Sequence, residues 1–145
     1  GEDDYRRQAE QMGLAGHVTF TGRVLYEEAP LHLALGDIAV SPKLSETEGN
    51  GKLLNYMAAG LPTVALNTPV ANELLGPYGE YASSPDPEGL AAALVRLLDD
   101  GQLRTARASQ LRQRAAEQFS WDAAGQRLLM VYDEIAAERS SGHPR

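Results

Sequence analysis

Cysteine is absent from this chain. Its absence removes disulfides, thiolate metal sites and a cysteine nucleophile together, and it fits a cytoplasmic protein. Positive charge is scarce as well: 13 Lys and Arg stand against 20 Asp and Glu, for a net charge of -7. A surface that grips nucleic acid or an acidic membrane needs a basic patch, so no nucleic-acid partner is expected and the acidic balance reads as solubility. No apolar run is long enough to cross a bilayer, and the opening Gly-Glu-Asp-Asp is the opposite of a signal peptide. Peripheral membrane contact would have to come through another part of a longer protein. Internal repeats and low-complexity segments are missing too.

What is present is enough apolar residue for one core: 43% of 145 residues, with 23% charged, make an ordinary globular domain. Asp3 to Gly13 has helix formers, an acidic first turn and a terminal glycine. His17 to Phe20 reads as a short strand, and Thr21-Gly22-Arg23-Val24 as a turn. A helix is expected over Tyr26 to Leu35 with Pro30 in its first turn, then an apolar strand over Asp37 to Val40, buried on both faces. Pro62 to Leu66 is the next strand. Asn67-Thr68-Pro69 supplies a cap and an N1 proline for a short helix to Leu75, and Glu80 to Ala82 is a last strand. Helices over Asp86 to Asp99, Gln102 to Gln118 and Ser120 to Glu138 follow. Ser120 caps the last of them, whose buried stripe is expected to be Trp121, Ala124, Leu128, Tyr132 and Ile135. Residues 1–138 thus form the domain and 139–145 a polar tail.

Strands alternating with helices, then a helical cluster, define an α/β, Rossmann-like domain on a parallel sheet. Ligands of such sheets bind beyond the carboxyl ends of the strands, where two loops carry unusual residues: Thr21 to Leu25 and Ser41 to Gly51. Both are expected to line one crevice. The second passes through Glu46, Glu48, Gly49, Asn50 and Gly51 into a helix beginning near Lys52. A helix start with small residues around it is suited to phosphate, because main-chain N–H groups and the positive end of the dipole face the guest. Lys52 and Asn55 then share a face, while Leu53, Leu54, Met57 and Ala58 turn inward.

Phe20-Thr21-Gly22, Asp37 through Pro42, Gly51 through Pro62, Glu73-Leu74-Leu75 and Phe119-Ser120-Trp121 come in an order that resembles the carboxyl-terminal half of a retaining GT-B glycosyltransferase of the group-1, family-four type. The similarity runs from about Gly1 to about Tyr132. It implies a nucleotide-sugar donor held here, an acceptor held by an amino-terminal half, and no metal or other cofactor, the helix end and basic residues taking the metal's role. By the same resemblance Arg23, Val24 and Leu25 meet the nucleobase, and Gly49, Asn50 and Gly51 approach the diphosphate. The family carries two glutamates separated by seven residues, the second on the ribose and the first near the transferred sugar. Alignment on Met57 to Pro62 puts Asn55 at the second position, a departure that keeps hydrogen bonding but loses a carboxylate's charge. Strict spacing puts Thr47 at the first; a loop shorter by one residue puts Glu48 there, and Glu46 is a third option. Lys52 is assigned to phosphate charge and to the leaving diphosphate.

Ordinary explanations compete with each assignment. Glu46 and Glu48 read equally well as solvated loop charges, Gly49 and Gly51 as turn formers, and Arg23 as cover for a sheet edge. His17 and His32 are structural, and His143 is in the tail. The family's donor half opens with a strand-helix-strand unit and a basic diphosphate clamp that this sequence lacks, so the chain reads as part of a longer enzyme, inactive alone, with an exposed sheet edge open to self-association or a partner chain. A sugar epimerase or phosphorylase of the same architecture and a non-catalytic interaction module are the rival readings.

Overall fold

The computed structural model describes residues 1–45 and 48–141, with the side chains of Ser140 and Ser141 set aside. Glu46, Thr47 and His143 lie outside the described residues. The chain divides into two compact units, 1–32 and 33–145.

The first unit opens with α1 (Glu2–Gln11), whose Arg6 guanidinium stacks 4.7 Å from the Phe20 ring centre. Gly13 takes a positive φ of 71° just past the helix, a conformation glycine adopts without a side-chain clash. The strand expected over His17 to Phe20 does not form. The His17 N–H is spent on the Leu14 carbonyl in a turn, and among the described residues these four find no ladder partner, without which extended chain is not a strand. Further on, Pro30 divides the single helix expected from Tyr26. Proline has no N–H to return to the Tyr26 carbonyl, which takes the Ala29 N–H instead and closes a 3₁₀ turn (Tyr26–Glu28) before α2 (Ala29–Leu33).

In the second unit, β1 (Ala39–Ser41), β2 (Thr63–Ala65) and β3 (Glu80–Tyr81) form a parallel sheet in the order β1-β2-β3. Val40 pairs with Val64, which in turn pairs with Glu80. Between the strands run α3 (Gly51–Ala58) and α4 (Pro69–Leu75), and after β3 come α5 (Pro87–Asp99), α6 (Gly101–Phe119) and α7 (Trp121–Ser141). Strand alternation sends neighbouring residues of β2 to opposite faces. Ala65 joins Leu53, Met57, Ala71, Leu75 and Leu111 under α3, α4 and α6, whereas Val64 joins Ala93 and Leu97 under α5. β2 is buried throughout. β1 is not: Val40 is 38% exposed, because β1 is an edge strand and α5 lies against β2 and β3. The two-sided burial expected for it holds for β2 alone.

Thr68, Asp86 and Ser120 cap their helices as their residue types dictate. Thr68 Oγ1 accepts from the Ala71 N–H at 3.2 Å with Pro69 at the first helical position, and Asp86 Oδ1 accepts from Gly89 N–H at 2.7 Å. Ser120 Oγ accepts from the Ala123 N–H at 3.1 Å. Gly60, at φ 72°, ends α3 while Leu61 N–H reaches back to the Tyr56 carbonyl and Gly60 N–H to that of Met57. From α6, Arg114 donates to the carbonyls of Leu74 and Glu73 in the last turn of α4, and Arg107 to that of Pro77 just beyond it. Burial pushes the Tyr81 phenol up to about 12, against the opposing pull of Arg114 and Arg107, and its hydroxyl donates to Gly76 O at 2.7 Å.

α7 departs most from expectation. Trp121 is 93% exposed, and Leu128, Tyr132, Ile135 and Ala124 are exposed with it, so the stripe is not core. The periodicity marked an apolar face correctly, but among the described residues α7 packs chiefly against α6, with Ala123 half-buried and these five side chains left exposed. The helix also continues through Arg139 to Ser141, so the described part of the expected tail is helical.

Candidate functional site

The carboxyl end of β1 delivers the chain at Ser41 into the loop 42–50, and α3 carries it back. Lys43, Glu48, Gly49, Asn50, Gly51 and Lys52 are thereby gathered at the open end of the sheet, where α/β folds place their ligands. The loop is laced internally. Lys43 Nζ lies 3.1 Å from the Gly49 carbonyl and 3.2 Å from a Glu48 carboxylate oxygen, and the Glu48 N–H donates to Ser45 Oγ at 3.2 Å.

Asn50 is the N-cap residue of α3 but does not cap it with its side chain. Its amide is buried, 8% exposed, and donates to Ser41 Oγ at 2.9 Å, tying the end of β1 to the start of α3. The oxygen that Asn ordinarily turns onto first-turn N–H groups is thus withheld from them. The side chain, expected among the donor contacts, serves the scaffold instead. Gly49 and Gly51 have no fold-based reason to be glycine: neither has a positive φ, and a Cβ on either would meet nothing within 4 Å among the described residues. That weakens the turn explanation for both. Lys52 stands exposed in the first turn, where the dipole disfavours a cation unless an anion joins it.

Asn55 is on the same helix but in different company. It lines a cleft of about 340 Å³ between α3 and α6 with Leu54, Ala58, Arg112, Phe119 and Ser120. Arg112 and Lys43 were not singled out from sequence. Arg112 sits in a helix dense with arginines that mostly cap carbonyls, and Lys43 looks like any loop lysine until the fold brings it onto Gly49. Arg23, Val24 and Leu25 belong to the first unit, after Gly22 at φ 66°. Arg23 and Leu25 are exposed and Val24 half-buried; the Leu25 carbonyl accepts from Glu28 and Ala29 N–H, starting the 3₁₀ turn. Among the described residues no three His, Asp or Glu side chains converge as a metal site would require, and no helix is long and apolar enough to cross a membrane.

A parallel sheet flanked by helices, with a loop carrying two glycines opening onto a helix start, defines an open-sheet α/β domain. Residues 1–100 match the family model for glycosyl transferases group 1, and the chain belongs to that family. It is 29% identical over 137 residues to a phosphatidyl-myo-inositol mannosyltransferase of Mycolicibacterium smegmatis, covering 93% of this chain and 35% of that protein. It is 32% identical over 131 residues to a GDP-mannose-dependent alpha-(1-6)-phosphatidylinositol monomannoside mannosyltransferase of Mycobacterium tuberculosis, covering 85% and 34%. Among solved structures, sucrose-phosphate synthase from Thermosynechococcus elongatus superposes with a TM-score of 0.79 at 23% identity, over 94% of this chain and 35% of the other. That likeness shows the fold. The chain spans about a third of the length of these relatives.

Proposed function

We propose that this chain binds the nucleotide-sugar donor for a longer glycosyltransferase, which transfers the sugar to an acceptor with retention of configuration. The observation that carries the reading is the start of α3: Gly49 and Gly51 unexplained by the fold, the Asn50 side chain withheld from capping, and Lys52 set against the dipole. Together they suit a diphosphate. Main-chain N–H groups and the Lys52 ammonium would meet its oxygens and stabilise the charge that grows on the leaving group as the glycosidic bond breaks. Asn55, in a cleft with an apolar floor and the Arg112 guanidinium, offers both a donor and an acceptor to ribose hydroxyls. Family membership and mannosyltransferase relatives support the donor class; the acceptor falls to the remaining two thirds of a protein of the relatives' length.

The test separates the two residues by ligand. Lys52→Ala should weaken nucleoside diphosphate binding by about tenfold and leave the nucleoside nearly untouched, since a charge-assisted phosphate contact is worth roughly 1.5 kcal/mol. Equal losses would remove Lys52 from the phosphates. Asn55→Ala should narrow the preference for a ribonucleotide over its 2′-deoxy analogue, and an unchanged ratio would take Asn55 out of the site.

A further inference from the structure

We infer that Lys43 is a second phosphate-binding cation of this site and that Glu48 occupies it until the ligand arrives. The inference rests on the donor-binding reading above. Lys43 is two-thirds covered, its side chain 33% exposed, so its ammonium is held over the loop instead of trailing in solvent. Both of its partners are on the loop itself: the Gly49 carbonyl at 3.1 Å and the Glu48 carboxylate at 3.2 Å. Glu48 differs from Lys43 in exposure, its side chain 75% accessible, and it reaches the ammonium from the rim of the loop with its own N–H anchored on Ser45 Oγ.

A pair that open to water is weak and exchanges readily. A nucleoside diphosphate brings more negative charge and more acceptor oxygens than one carboxylate, and among the described residues a Cβ on Gly49 or Gly51 would meet nothing within 4 Å. The exchange needs no rearrangement of the sheet or of α3. Glu48 swings into solvent, and the Lys43 ammonium passes from carboxylate to phosphate while keeping the Gly49 carbonyl. With Glu48 in place the Lys43 charge is matched by that carboxylate; with Glu48 displaced, Lys43 and Lys52 both act on the phosphates.

The two partners then have opposite effects on affinity, which a mere loop staple would not produce. The 145-residue chain is titrated by calorimetry with GDP, UDP and ADP and with the matching nucleosides. Lys43→Met should weaken the diphosphate that binds by about tenfold without changing the nucleoside, and Lys43→Arg should restore most of the loss. Glu48→Gln, which keeps the shape and removes the competing charge, should tighten the same diphosphate several-fold, and should do nothing in a Lys43→Met background. Thermal melts of each variant confirm that the fold is intact, as both side chains are on an accessible loop. If the diphosphate binds and Glu48→Gln weakens it as Lys43→Met does, the pair is a structural tie and the inference is overturned while the donor reading stands. If no diphosphate binds the unaltered chain, the donor reading fails and this inference fails with it.

Discussion

Glycine at the start of α3 gives the sharpest separation between a fold requirement and a ligand requirement. Gly51 is the first residue of α3, its φ is not positive, and a Cβ built on it would meet nothing within 4 Å among the described residues. Gly51→Ala should therefore stabilise the protein, because alanine restricts the unfolded chain and costs the native state nothing. The gain expected at such a position is about 0.4–1 kcal/mol, a rise in melting temperature of roughly 1–4 °C for a chain of this size. Binding should go the other way. A phosphate oxygen accepting from main-chain N–H groups must come within about 2.9 Å of them, and a methyl group on the same residue intrudes on that approach. Nucleoside diphosphate affinity should fall by about tenfold or more, the equivalent of 1.4 kcal/mol. Thermal melting and calorimetric titration on one preparation read both effects. A variant that melts lower, or one that melts higher and binds as well as the parent, would refute the argument that the glycine is kept for a ligand.

Other parts of the account make separate predictions. Gly89→Ala should destabilise by about 1–3 kcal/mol, since its Cβ would collide with the Ser84 carbonyl and lie 2.6 Å from Ser84 Oγ; an unchanged melting temperature would contradict that packing. Asp86 is held below the usual carboxylate range by the Ser84 hydroxyl and then by the Gly89 N–H. A lowered folded pKa adds stability above the unfolded value, near 4, that is lost as pH falls through the folded one. The melting temperature should therefore drop more steeply below pH 4 in the parent than in Asp86→Asn, and equal slopes would remove the effect. Trp121 is the single tryptophan, and at 93% exposure its fluorescence should match that of indole in water and be quenched freely by iodide. Blue-shifted, protected emission would mean that α7 is covered.

Much of this was legible in the sequence because local chemistry and global fold agree. Thr68-Pro69, Asp86-Pro87 and Ser120 announce their helices through the same hydrogen bonds the structure contains. Gly60 marks the end of α3 for a reason any sequence shows, the need for a positive φ. The helix divided at Pro30 failed for a local reason, but three other failures share a cause: each depended on a partner distant in sequence. Among the described residues, His17 to Phe20 has strand composition but no ladder, Val40 is apolar but on an edge strand, and the α7 face repeats correctly while its stripe stays exposed. The site divides along the same line. The glycines, Lys52 and the helix start could be read from spacing, whereas the turning of Asn50 onto Ser41 and of Lys43 onto Gly49 are tertiary contacts that no local pattern encodes. The departure at Asn55 was visible; its cleft with Arg112 was not, because it needs α6.

The most direct test of the central claim compares each nucleoside diphosphate with its own nucleoside by calorimetric titration of this chain. The account predicts saturable binding of at least one diphosphate, tighter than the nucleoside by tenfold or more, with the gap largely erased in Lys52→Ala. Equal affinity for the two ligands, or no diphosphate bound at all, would contradict the assignment of the α3 start as a diphosphate site.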